Sequence, residues 1–115
     1  MFFLTQFYIQ PLKAGNLQYR LGRRKWQEVW CVVVENLLYI YESIGAQITW
    51  DVIDLSCFKP ITDLQQNKSR FKLKIVNNNH ESHEFHTENA AQFYLWFATF
   101  DRIHNRGVQK RKGLT

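Results

Sequence analysis

Residues 15–43 read GNLQYRLGRRKWQEVWCVVVENLLYIYES, and the fold turns on how they are read. Side chains alternate along an extended segment, so Val29, Cys31 and Val33 share one face while Trp30, Val32 and Val34 share the other. Apolar residues on both faces predict a strand in the middle of a sheet or barrel wall. Working outward, this strand spans Lys25 to Glu35 and follows another, Leu12 to Leu21, which Pro11 leads in. Gly22, Arg23 and Arg24 supply the turn between them. Glu35 and Asn36 predict a two-residue hairpin, because Asn tolerates positive φ. Leu37 to Tyr41 then returns as a β-rich third strand.

Beyond a loop at Ser43 to Ala46, the pattern predicts strands at Ile48 to Leu55 and near Cys57 to Ile61, then a polar loop from Thr62 to Ser69. Arg70 to Val76 alternates, with Phe71, Leu73 and Ile75 on one face and Arg70, Lys72 and Lys74 on the other. Asn77, Asn78 and Asn79 signal a turn, and Ser82 to His86 makes a seventh strand. Thr87 is the expected N-cap of a helix, with Glu88 in its first turn complementing the dipole. Phe93, Trp96, Phe97, Phe100 and Ile103 fall on one helical stripe. Arg102, His104 and Arg106 suit the C-terminal end, and Gly107 is placed to stop the helix.

The chain has 115 residues, which suits one domain able to bury about two-thirds of its unfolded surface. Four Trp, five Tyr and nine Phe can fill that core. Fifteen Lys and Arg against ten Asp and Glu give a formal charge of +5, which favours anionic partners without choosing among them. Cys31 and Cys57 have neither metal-ligand spacing nor the density of a disulfide scaffold, so both are expected to be buried thiols in a reducing compartment. The N-terminal MFFLTQFYIQPL has no basic n-region and no small-residue cleavage site, and is expected to be an apolar extension (residues 1–11) packed on the domain. Residues 12–106 form the domain itself, and 107–115 a basic tail or linker. The longest apolar run is far short of a membrane span.

Taken in order, KAGNLQYRLG, KWQEVWCVVV, NLLYIYES, VIDL, RFKLKIV, HEFHTEN and a single C-terminal helix bearing Trp96 resemble the pleckstrin homology (PH) family over Leu12 to Asn105. The resemblance implies a mainly β fold of seven strands, with two nearly orthogonal antiparallel sheets forming a partly open barrel capped at one end by the helix. It also implies a ligand site at the open end. Family members that bind phosphoinositides carry a basic residue late in the first strand and two more at alternate positions of the second. The matching positions here are Tyr19, Gln27 and Val29, and none is basic. A further basic position of the family falls near Trp50, and Glu42 to Gln47 contains no Lys or Arg.

Arg20, Arg23, Arg24 and Lys25 around the first hairpin remain as candidates to hold an anionic headgroup, joined by Lys68 from a loop that approaches the hairpin in this fold. An alternative places an anion on the outer side of the hairpin, among Arg23, Lys25 and Lys68. The other readings are a solvated turn and a protein contact. Each basic side chain near an anionic leaflet contributes about 1 kcal/mol, so four give roughly 4 kcal/mol, or about millimolar binding. Such a site needs a second anchor.

Arg70, Lys72 and Lys74 read as an outer-face stripe that deters strand aggregation. Lys110, Arg111 and Lys112 read as a solvated end or as a supplementary membrane contact. His80, His83 and His86 are spaced so that neighbours in the series point to opposite faces of a strand, which argues against a shared metal. Tyr19, Trp26 and Trp50 are expected in the core, or one of them at the open end as an apolar contact. No catalytic constellation is present and no cofactor is implied.

The function expected is that of a non-enzymatic PH domain, cytoplasmic and peripheral to membranes, binding anionic lipids weakly together with a protein partner. The alternative is a purely protein-binding domain, using a sheet edge or the groove beside the last helix, with self-association through the N-terminal segment. Nucleic acid is a poor fit, because no exposed aromatic and basic sheet is evident.

Overall fold

The structure is a computed structural model and describes residues 10–62 and 71–112. The N-terminal nine residues, Lys68 and Arg70 therefore lie outside the described residues. Seven strands are present: β1 (Lys13–Leu21), β2 (Gln27–Val34), β3 (Leu37–Tyr41), β4 (Thr49–Asp54), β5 (Lys59–Thr62), β6 (Phe71–Val76) and β7 (Ser82–Thr87). A 3-10 turn, Leu55–Cys57, separates β4 from β5, and the helix α1 (Ala90–Arg111) follows β7. All strand pairs are antiparallel, in the order β4-β3-β2-β1-β7-β6-β5.

The sheet does not close, which bears out the partly open barrel. β1 is the shared strand: Lys13 to Tyr19 pair with β2, and Gln18 to Leu21 pair with β7. The edges are β4 and β5, and Pro60 sits on β5 where a missing amide does least harm to the ladder. β6 lies inside the sheet, so Lys72 and Lys74 guard no edge; Lys72 instead approaches Glu84 of β7 at 3.7 Å.

The two apolar faces of β2 behave as their alternation requires. Val29, Cys31 and Val33 enter the main core with Leu38, Ile40, Ile53, Leu73, Ile75 and Phe85. Val32 and Val34 join Tyr41 in a second buried cluster, against which Trp30 and Tyr39 pack. The apolar stripe of α1 closes the main core through Phe93, Trp96, Phe100 and Ile103, all buried. Trp96 lies over the start of β1. A Cβ on Gly15 would stand 3.5 Å from its ring, and Lys13 Nζ sits 5.2 Å from its centroid while donating to Gln92 Oε1 at 2.6 Å.

Several local expectations are corrected. The N-cap is Asn89, whose side chain accepts from the Gln92 amide at 3.0 Å. Thr87 ends β7 and accepts from the Asn89 amide instead, and the first turn holds no acid. Gly107 does not stop the helix, which runs to Arg111. Its role is close approach: a Cβ there would lie 2.8 Å from Ser56 Cβ and 2.9 Å from Ser56 O. Lys110 and Arg111 accordingly belong to the last turn of α1, not to a tail.

Cys31 is buried, but Cys57 is exposed, because only Leu55 of the 3-10 turn points inward. In the β2–β3 hairpin the positive φ, 54°, falls on Glu35. Asn36 is used otherwise. Its side chain donates to Asp54 Oδ1 at 2.8 Å and its carbonyl accepts from the Leu55 amide, tying the hairpin to the end of β4.

Candidate anion-binding groove

Register places the β1–β2 turn and the β3–β4 loop at one end of the sheet. Tyr19 pairs with Gln27 at the end of the first ladder, and Trp30 pairs with Tyr41 beside it. Gly22, at φ 62°, makes the turn, and the Arg24 amide closes it on Leu21 O at 3.3 Å. A groove of about 360 Å³ opens here. β1 contributes Tyr19 and Arg20, the turn Arg24 and Lys25, β2 Gln27, and β4 Trp50 and Asp51.

The candidates separate by environment. Arg24 and Lys25 are exposed, line the groove and make no ion pair among the described residues. Arg23 is exposed at the tip, outside the groove lining. Arg20 lines the groove but is engaged elsewhere. It pairs across the ladder with Glu84, donating from Nε to Oε1 at 2.6 Å, and its guanidinium lies 4.5 Å from the Trp26 ring centroid. Lys68, and with it part of the alternative outer site, lies outside the described residues.

One groove residue, Asp51, was not among the sequence candidates, and another, Trp50, was expected there only as an alternative to the core. Asp51 places a carboxylate among the cations, where it opposes any anion. Trp50 is 46% exposed and owes its position to a register shift: Ile40 pairs with Asp51 and Tyr41 with Thr49, leaving Trp50 without a partner in the ladder. A bulge of this kind re-aims a side chain, and no local pattern in the sequence announces it. Ile48 and Ile44, 81% and 66% exposed, extend this apolar edge into the loop, where Gly45 adopts φ 88°. Of the three aromatics in question, Tyr19 is buried, Trp26 is half-buried against His86, and Trp50 is the one at the open end.

The barrel mouth next to the groove has the opposite character. A cavity of about 530 Å³ is lined by Asp51, Asp54, Glu81, His80 and His83 with Phe58 and Leu21, and by no Lys or Arg among the described residues. Burial alone would raise the Asp54 carboxyl, but hydrogen bonds from Ser56 and Asn36 outweigh it and hold it below the ordinary range. Val29, the inner of the three positions where the resemblance looks for a base, is wholly buried. Among the described residues this mouth offers no cation to clamp a multiply phosphorylated ring.

His83 and Phe85 face the core, while His86 faces Trp26 on the other side of β7. Among the described residues no group of His, Cys, Asp and Glu is arranged to hold a metal. The Tyr19 hydroxyl and His83 Nδ1 share a hydrogen bond of 2.7 Å, linking the groove to the mouth. Desolvation pushes the Tyr19 phenol well above its usual value, with Asp51 adding to the rise. Desolvation lowers His83, against the pull of Asp51 and Glu81.

The neutral ring is thus favoured in the folded state. Its stabilising contribution is complete above the ordinary histidine value of about 6.5 and is lost as the pH falls from there through the lower value of the folded state. Urea unfolding at pH 7.5 and 5.5 is expected to show stability falling with acid, and falling less in a His83→Gln variant. His104, lowered by burial and by Arg111, keeps some slope in that variant. An identical loss in both proteins would refute the assignment to His83.

The sheet is antiparallel and unclosed, with the C-terminal helix capping one end and the β1–β2 and β3–β4 turns at the other. The chain belongs to the PH domain family, whose model matches residues 11–105. Solved structures agree at the level of fold. The carboxyl-terminal PH domain of pleckstrin matches with a TM-score of 0.70 at 15% identity, covering 83% of this chain and 97% of that one. The same domain has been solved in complex with D-myo-Ins(1,2,3,5,6)P5, and matches with a TM-score of 0.72 at 15% identity over 83% of this chain and 96% of that one. The Slm1 PH domain in complex with phosphoserine matches with a TM-score of 0.69 at 14% identity, over 83% of this chain and 96% of that one. An activated truncation of Vav1 matches with a TM-score of 0.73 at 15% identity; 85% of this chain is covered, but only 27% of that one. A search of curated proteins finds no match.

Proposed function

We propose that this PH domain is a non-catalytic docking module for the cytoplasmic face of anionic membranes, and that it attaches through an apolar edge and a basic tip acting together. The observation that carries this reading is the juxtaposition of exposed Trp50, Ile48 and Ile44 with Arg23, Arg24 and Lys25 at one end of the sheet. The neighbours bound to an inositol phosphate and to phosphoserine support an anionic headgroup as the ligand chemistry. No helix among the described residues is long and apolar enough to cross a membrane, so attachment by this domain is read as peripheral.

The magnitudes favour a shared mechanism. With Arg20 held by Glu84, three cations remain, for about 3 kcal/mol. That alone is weaker than millimolar. Sinking two isoleucines and a tryptophan part-way into the interface adds roughly 3–4 kcal/mol, against about 1.5–3 kcal/mol for one fully buried apolar side chain. The total of about 6–7 kcal/mol corresponds to tens of micromolar. A tryptophan at the headgroup level is also where such rings collect.

Co-sedimentation with vesicles tests the proposal. The chain is expected to pellet with phosphatidylcholine vesicles containing phosphatidylserine and to stay in solution with phosphatidylcholine alone. An Ile48→Ser, Trp50→Ser variant is expected to bind at least about tenfold more weakly. Equal binding to neutral and acidic vesicles, or no effect of the double substitution, would overturn it.

Asp51 supplies an opposite test, since removing a groove carboxylate subtracts a repulsion. Asp51→Asn is expected to strengthen binding to the acidic vesicles about fivefold, on the scale of about 1 kcal/mol per charge near the surface. Unchanged or weaker binding would place the bound lipid away from the groove.

A further inference from the structure

A second groove, of about 850 Å³, lies at the other end of the sheet. Among the described residues its apolar lining is Leu12, Val34 and Ile103, its cations are Arg106, Lys110 and Arg111, and its one acid is Glu35. Gly107 is part of the lining, and its missing side chain lets α1 close onto Ser56. Arg106 and Lys110 are exposed four residues apart on the helix, which sets them on one face. Neither makes an ion pair among the described residues. Arg111 is held in place by its donation from Nη1 to Ser56 O at 2.9 Å.

Register settles where this groove stands relative to the membrane-facing tip. Leu12 precedes β1 and donates its amide to Val33 O, and Val34 ends β2, so the groove adjoins the end of the β1–β2 ladder remote from Arg23. The nine residues of β1 span roughly 27 Å at the usual rise per residue. Cations at the end of α1 therefore do not share a flat membrane contact with the hairpin tip.

We propose that this groove docks an acidic, apolar-containing peptide segment of a partner protein. Charge complementarity selects the occupant: three cations face one carboxylate around an apolar lining. A bilayer surface meets protruding tips more readily than a concavity. Single-stranded nucleic acid is disfavoured because the lining, among the described residues, offers no aromatic ring for a base to stack on. Helix-end cations also complement the α1 dipole, but Arg106 stands a full turn before the terminus, where that effect has faded. The further consequence, that the domain bridges a membrane to an acidic partner, rests on the membrane reading above; the peptide site does not.

The test uses fluorescence polarisation with a short labelled peptide of alternating leucine and glutamate, and the same peptide with lysine for glutamate. The intact chain is expected to bind the first and not the second. Arg106→Glu with Lys110→Glu is expected to weaken it at least about tenfold while leaving acidic-vesicle binding within about twofold. Glu35→Gln is expected to strengthen it about threefold to fivefold. Ile48→Ser with Trp50→Ser should do the reverse of the helix pair, losing vesicles and keeping the peptide. Failure of the acidic peptide to bind, equal binding of both peptides, or insensitivity to the Arg106 and Lys110 changes overturns the proposal. Loss of vesicle binding in that same variant also overturns it, by making the helix end a membrane contact. Failure of the Ile48 and Trp50 variant to lose vesicles counts against the membrane reading alone.

Discussion

Reversing the tip (Arg23→Glu, Arg24→Glu and Lys25→Glu together) is expected to abolish binding to acidic vesicles, by at least about a hundredfold. Three attractions of about 1 kcal/mol each disappear and three repulsions of similar size replace them. The swing of roughly 6 kcal/mol exceeds everything the apolar edge can supply. These side chains are exposed and make no ion pairs among the described residues, so the fold is expected to survive. An unchanged melting temperature alongside the lost binding would show that the effect lies in the contact itself.

Salt provides an independent reading of the same term. Raising ionic strength from about 0.15 M to 1 M shortens the Debye length from about 8 Å to about 3 Å. Binding should therefore weaken in the unmodified chain, and any residual binding of the reversed chain should not. Vesicle binding that survives the reversal would mean that the apolar edge acts alone, or that the lipid sits elsewhere.

Trp96→Ala is expected to remove about 3–5 kcal/mol of stability, a large fraction of the roughly 5–15 kcal/mol available to a domain. The ring is buried between sheet and helix, edge-on to Phe100 at 5.9 Å and beneath Lys13. β1 packs on the indole at Gly15, where a Cβ would stand 3.5 Å from the ring, at ordinary contact distance. Truncation opens a cavity that two regular elements cannot both collapse into. Urea unfolding measures the loss, and Trp96→Phe should recover part of it. A change below about 1 kcal/mol would mean that α1 is not what closes this end of the core.

Much of the fold was legible because it rests on local periodicity. The two-sided apolar run of β2, the alternation of Phe71, Leu73 and Ile75, and the stripe through Phe93, Trp96, Phe100 and Ile103 each bury as their period requires. Errors arose where a residue's use depended on something distant. Gly107 resembles a stop signal in a helix ending with cations, yet it is needed for contact with Ser56, about fifty residues away in the chain. Asn36 does sit in the expected β2–β3 turn, but the positive φ falls on Glu35 and the Asn36 side chain serves Asp54. Cys57 resembles a core thiol by type, but the 3-10 turn sends it outward.

The site was legible only in part, for the same reason. That the hairpin tip is basic, and that positions 19, 27 and 29 are not, is a matter of residue identity and needs no coordinates. Which cations are available is a different matter. Arg20 lines the groove but is also engaged by Glu84, a partner brought beside it by the β1–β7 pairing, and by the face of Trp26. Trp50 is turned outward by a bulge against β3, and Asp51 enters the groove by the same shift.

The order of the elements and the core face of each one were thus written in the chain itself, since burial follows the repeat of apolar residues along a single segment. The charge of the groove, its apolar edge and the separation of two basic surfaces by the length of β1 came only with tertiary structure. Those properties depend on which strands pair and in what register, and pairing brings together residues that no local pattern connects.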